Sequence, residues 1–216
     1  MKLENNQIRE EELERVEEAV FVIDMINGFV KIGPLAAPSI MRVVPFQQEI
    51  LEESENKPNS INVFGDDEHT KDSAEFNTFG IHAVKGDNET KIITELDRWF
   101  KTGLEFKKNS TNLMFAPGVI TLLEKLRNLK KVYIVGCLSE VCVKNFAISL
   151  RNYFDEVNRN IDVNVFKYGI DTYNAPGHNA DEVTEVSLRD MKMNGVKVLK
   201  RTRKLNKVGD GINENI

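Results

Sequence analysis

The 216-residue chain is short of thiols, imidazole and indole, with two cysteines, three histidines and one tryptophan. Cys137 and Cys142 lie too close together in sequence to suggest a disulfide framework. That pattern points to a reducing, cytoplasmic setting in which a thiol stays free. No apolar run reaches the length of a bilayer span, and the start, MKLENNQ, has no apolar core of a secretory signal. A membrane role is therefore not expected. Basic charge is not in excess either: 29 Lys+Arg stand against 34 Asp+Glu, a formal net charge of -5. That balance gives no electrostatic support for nucleic-acid binding. Phosphate-cradling glycine loops, basic–aromatic stripes, repeats and low-complexity stretches are also missing.

What is present reads as a globular domain. Hydrophobic residues make up 41%, enough to bury a core without disulfides or a structural metal, and the length favours a single domain over 1–216. Strands are expected at Ala19–Met25, Ile61–Phe64, Leu104–Lys107, Lys131–Gly136, Ile161–Phe166 and Val196–Leu199. Helical spacing is read at Pro45–Glu55, Lys91–Phe100, Gly118–Leu129, Ser139–Phe154 and Asp181–Asn194. Short apolar strands alternating with helices imply a three-layer α/β/α fold around a central, mostly parallel sheet. The stretch Gly65–Glu89 reads as a long loop, a length that is often functional. The acidic 9–18 and basic 197–207 stretches read as solvated faces.

In such sheets ligands gather outside the carboxyl ends of the strands. Asp24 ends the first strand, and a carboxylate there is either a helix cap or a functional acid. Lys107 and Lys108 end the third strand, where alternation turns only one of them toward a site. Cys142 follows a strand–turn–helix junction. There it is either a small buried hydrophobe or a thiolate favoured by a helix N-terminus. Asp67, His69, Glu75 and His82 share the long loop. They read either as a polar surface or as a ligand set suited to zinc, iron or manganese. His178 has no obvious partner and reads as structural, and Trp99 reads as core.

Taken in order, these segments resemble the isochorismatase-like cysteine hydrolases, the nicotinamidases in particular. The resemblance runs from Ala19 to Phe166. It rests on Asp24 with Phe29 five positions on, Asp67-x-His69, FGIHAVKGDNE (Phe79, His82, Gly86 and Glu89), Lys108 with Phe115, and GCLSEVCV around Cys142. The resemblance implies a triad of Asp24, Lys108 and Cys142. It also implies a cis peptide at Cys137–Leu138 and an oxyanion hole from the Leu138 and Cys142 N–H groups. It further implies a divalent metal, zinc first, on Asp67, His69, Glu75 and His82, with Phe29 and Phe79 flanking the substrate. The implied activity is amide hydrolysis through a thioester, with nicotinamide as first substrate and pyridine-nucleotide salvage as its setting. Another small amide or ureido compound, or a non-catalytic binding role, is the alternative. A homo-oligomer is compatible with the sequence. Three features depart from the commonest nicotinamidase pattern: Glu75 replaces a histidine, Gly80-Ile81 replaces a proline before His82, and Ala83 replaces a cysteine.

Overall fold

The computed structural model describes residues 10–200. The MKLENNQ start and the part of the basic stretch beyond residue 200 lie outside the described residues. Strands β1 (Glu18–Ile23), β2 (Ser60–Asp67), β3 (Leu104–Lys108), β4 (Lys131–Cys137), β5 (Asp162–Asp171) and β6 (Lys197–Leu199) form one sheet. Their order is β3-β2-β1-β4-β5-β6, and each neighbouring pair is parallel. Around it lie α1 (Glu10–Leu13), α2 (Asn27–Val30), α3 (Val44–Glu55), α4 (Phe76–Phe79), α5 (Asp97–Phe100), α6 (Val119–Lys125), α7 (Lys144–Glu156) and α8 (Ala180–Met193).

The side-chain alternation of β1 shows how the layers form. Phe21 and Ile23 face one side of the sheet, where they join Leu122 of α6, Phe146 and Leu150 of α7 and Leu188 of α8. Val20 and Val22 face the other side and join Ile50 and Leu51 of α3 and Trp99 of α5. Strands buried on both faces must be apolar throughout, as AVFVI is. The result is the expected three-layer α/β/α arrangement. The order of connections reverses between β1 and β4, which is where such sheets open a crevice for ligands.

Several boundaries differ from the sequence reading. Lys91–Phe100 is not one helix. Asn27 N–H donates to Lys91 O at 2.8 Å and Ile93 N–H to Met25 O at 2.9 Å, pinning Lys91–Ile93 as a ribbon beside residues 25–27. Only the 3-10 turn Thr94–Leu96 and the single turn of α5 follow it. Helix α6 stops at Lys125, well before Leu129. The guanidinium of Arg159 takes up the carbonyls of Leu123 and Leu126, replacing the bonds a longer helix would make. Strand β2 runs on to Asp67, so the long loop starts later than Gly65. Strand β5 reaches Asp171, with a register shift opposite Ile134–Gly136. The helix read from Ser139 begins as a π-turn, Ser139–Val143, before α7 proper.

Candidate active site

The crevice is built from four strand ends. Asp24 follows β1 with φ at 53°, a left-handed conformation that aspartate tolerates better than most residues. Its N–H donates to Gly65 O at 3.0 Å, and its Oδ1 accepts the Asp67 N–H at 2.8 Å. Lys108, the last residue of β3, is the register partner of Asp67. Its Nζ lies 2.8 Å from Asp24 Oδ2, 2.6 Å from Asp67 Oδ1 and 3.6 Å from Cys142 Sγ. All four side chains are buried. Lys107 points the other way, 2.5 Å from Glu105 and 3.9 Å from Asp66. Of the two lysines left open by the sequence, Lys108 is the one that meets the acid and the thiol.

Cys142 sits in the π-turn just after β4. The Cys137–Leu138 peptide before it is cis, at the position the resemblance implied. Gly136, with φ at 131°, lets β4 close on β1, because a Cβ there would stand 2.1 Å from Ile23 O.

One lysine is shared by two carboxylates, and this sets the electrostatics. Burial raises the Asp24 carboxyl to about 7, with the charge of Asp67 adding to the effect and Lys108 opposing it. Burial also pushes Asp67 up, but Lys108 and His69 outweigh it and hold that group below its ordinary value. Burial opposes the charge of Lys108, yet Asp24 and Asp67 together raise its pKa well above the usual range. The Cys142 thiol is pushed well above its ordinary value by burial, which outweighs the attraction of Lys108. Burial thus opposes the thiolate that a place near a helix N-terminus would favour. Helix α7 begins at Lys144, past the thiol, and the sulfur lies in the Ser139–Val143 turn beside Lys108.

The loop after β2 returns on itself. His69 N–H donates to Ala83 O and Lys85 N–H to His69 O, both at 2.9 Å, which brings His82 beside His69. Ala83 N–H donates to Glu89 Oε2 at 2.9 Å. The carboxylate of Glu89 lies in space left by Gly33, where a Cβ would come within 2.5 Å of it. One ligand atom each from Asp67, His69, Glu75 and His82 lies within 4.8 Å of the others. The two Nε2 atoms face each other at 3.1 Å, and Glu75 Oε1 stands 3.9 and 4.0 Å from them.

The outer nitrogens decide what these rings carry. His82 Nδ1 meets Gly80 O at 2.8 Å and so must donate. Asn109 Oδ1 accepts the Thr70 N–H at 3.4 Å, so His69 Nδ1, 3.0 Å from that oxygen, donates as well. With both Nδ1 atoms turned outward, the two Nε2 atoms face each other with two carboxylates alongside. That arrangement calls for a cation. Two imidazoles and two carboxylates suit a divalent transition metal such as zinc, iron or manganese. Asp24, Asp67 and Cys142 also cluster within 4.8 Å, but there the Lys108 ammonium is the cation.

The ring centroids of Phe29 and Phe79 lie 5.7 and 6.5 Å from that of His82. Phe29 is buried and Phe79 exposed. Phe115, part of the sequence pattern, is 77% exposed. The reading of His178 as partnerless is corrected: its Nε2 lies 3.2 Å from Glu140 Oε1. Sequence reasoning also missed Asn109 and the contact between Asp67 and Lys108. Asn109 directly follows Lys108, but nothing in its type marks it as a partner of His69.

The isochorismatase domain family matches residues 18–199. The chain belongs to the isochorismatase family. No curated protein matches it by sequence. Among solved structures, an isochorismatase-like hydrolase from Alkaliphilus metalliredigens is 22% identical, covers 89% of this chain and 99% of its own, and superposes with a TM-score of 0.70. An N-carbamoylsarcosine amidase from Thermoplasma acidophilum is 23% identical, with 86% and 96% covered and a TM-score of 0.67. A pyrazinamidase of Pyrococcus horikoshii, solved in complex with zinc, is 22% identical, with 85% and 99% covered and a TM-score of 0.67. These likenesses establish the shared fold. Among the described residues no helix is long and apolar enough to cross a membrane.

Proposed function

We propose that this protein hydrolyses the C–N bond of a small amide or ureido compound through a thioester on Cys142. The observation that carries the reading is the buried ammonium of Lys108, in contact with Asp24, Asp67 and the Cys142 sulfur at once.

Asp24 takes the thiol proton while Lys108 stabilises the thiolate. The sulfur attacks the substrate carbonyl, and the Leu138 and Cys142 N–H groups hold the oxyanion that develops. Asp24 returns its proton to the departing nitrogen, so ammonia or an amine leaves and the acyl group stays on sulfur. Asp24 then takes a proton from water. The hydroxide adds to the thioester, the acid is released and the thiol is restored. Asp67 keeps Lys108 in place throughout. A divalent metal on Asp67, His69, Glu75 and His82, zinc first, supplies when bound a Lewis-acid anchor for a lone pair of the substrate. Phe29 and Phe79, beside His82, would flank a flat substrate.

Nicotinamide is the substrate to test first within this class. The similar solved structures include both a pyrazinamidase and an N-carbamoylsarcosine amidase. The substitutions Glu75, Gly80-Ile81 and Ala83 fall in the loop nearest the ring position, which keeps the broader amide class ahead of any one compound. The test is ammonia release by purified protein from nicotinamide, pyrazinamide and N-carbamoylsarcosine, with metal content measured on the same sample. Release that disappears in Cys142→Ala supports the reading. Release that survives alkylation of Cys142 defeats it.

A further inference from the structure

His178 and Glu140 take no part in the chemistry just described, yet they join the nucleophile turn to the segment after β5. Glu140 lies two residues before Cys142. Its Oε1 accepts from Thr172 Oγ1 at 2.8 Å and faces His178 Nε2 at 3.2 Å, while its Oε2 accepts from Ser139 Oγ at 3.1 Å. Ser139 Oγ in turn contacts Thr184 Oγ1 of α8 at 2.9 Å. Since the single Ser139 proton goes to Glu140, Thr184 is the donor in that pair.

The surroundings of His178 hold the ring at both nitrogens. Nδ1 meets Tyr173 O at 2.9 Å, and a carbonyl only accepts. Nε2 faces Glu140 Oε1, the same oxygen that accepts the Thr172 hydroxyl. The Tyr173 ring stacks on it, 4.0 Å away at an interplanar angle of 1°. The Ala175–His178 pairing closes this turn, with Gly177 at φ 74°. Imidazole, carboxyl group and hydroxyls thus form a hydrogen-bonded link between the nucleophile turn and the segment after β5.

We propose that His178 is a positioning residue. Through Glu140 it clamps the Ser139–Val143 turn, and with it the Cys142 sulfur and N–H, against the segment after β5. This rests on the reading of Cys142 as nucleophile. A displacement of about 1 Å at such a turn is enough to slow a reaction up to about a hundredfold.

The test compares wild type, His178→Ala and His178→Gln by kcat, by KM and by the rate of Cys142 alkylation with iodoacetamide. His178→Ala is expected to lower kcat about tenfold, with KM changed less than about threefold. The loosened turn should alkylate severalfold faster. Glutamine keeps one donor toward Glu140 and should recover most of both losses. Unchanged kcat and alkylation in His178→Ala would overturn the clamp, as would equal damage in the alanine and glutamine variants. Should the alanine variant not fold, Thr172→Val removes the other donor to the same oxygen. A lower kcat at constant KM then supports the clamp, and an unchanged kcat overturns it. Alkylation needs no substrate. A wild type that turns over no amide would defeat the proposed reaction while leaving the clamp to be decided on the thiol.

Discussion

Asp24, Lys108 and Cys142 are carried on strand ends or the turn directly after one, whereas His69, Glu75 and His82 hang on the loop between β2 and the Lys91–Ile93 ribbon. The first group is placed by sheet register: Ile23 pairs with both Gly65 and Gly136, and Asp67 with Lys108. The second group is placed by a few closing bonds, His69 N–H to Ala83 O, Lys85 N–H to His69 O and Ala83 N–H to Glu89. Asp67 belongs to both, touching Lys108 through Oδ1 and standing 3.6 Å from His69 through Oδ2. The difference suggests that damage to the loop group should leave the strand group in place, while the reverse need not hold.

The largest effect tests the strand group alone. Cys142→Ala should reduce turnover at least about 10⁴-fold while the thermal midpoint and the metal content stay near wild type. Lys108→Met should come next. It leaves Asp24 and Asp67 buried without their cation, at about 3–5 kcal/mol of stability, read as a drop in denaturant midpoint. Lys107→Met is its control one residue away and should keep kcat within about threefold, since that side chain points to Glu105. Equal losses in the two lysine variants would erase the distinction drawn between them.

The loop group should respond in metal affinity before it responds in stability. Glu75→Ala and Asn109→Leu are each expected to weaken zinc binding about 10–100-fold in competition with a chromogenic chelator. The iodoacetamide reactivity of Cys142 should hold in both. Altered thiol reactivity with intact metal affinity would invert the comparison.

The smallest effect concerns an ion pair at the rim. Lys31 Nζ lies 2.6 Å from Glu95, and this bond holds the Glu95 carboxyl below its ordinary 4.5. A depressed folded value means the stabilisation is present above pH 4.5 and lost as pH falls through the lower folded value. With both side chains about a third exposed, the pair is worth about a few tenths of a kcal/mol. Lys31→Met should flatten the acid limb of the stability profile by no more than that.

The parts legible in the sequence are those whose partners are implied by local pattern. AVFVI and KVYIVG announce buried strands, and GCLSEVCV marks the turn after one. The Asp-x-His and FGIH elements point to a loop rich in ligand types. What stayed hidden depends on contacts between distant positions. Arg159 shortens α6 from 33 and 36 residues away. Asn109 reaches His69 across 40 residues, and His178 reaches Glu140 across 38. The place of the thiol near a helix is legible, but the burial that pushes its pKa up depends on how deeply Cys142 is covered, which no local pattern carries.

Glu89 offers a last consequence. Its Cβ would lie 3.0 Å from a Cβ at Gly28, its Oε1 2.5 Å from one at Gly33, and its Oε2 receives the Ala83 N–H. Three separate stretches of chain therefore share one volume. A shorter residue at 89 frees the backbone next to His82, yet it opens no room at 28, where the Glu89 Cβ and backbone oxygen stand in the way, and leaves the left-handed φ of Gly33 unchanged. Homologues of this chain should therefore keep glycine at 28 and 33 even where position 89 varies.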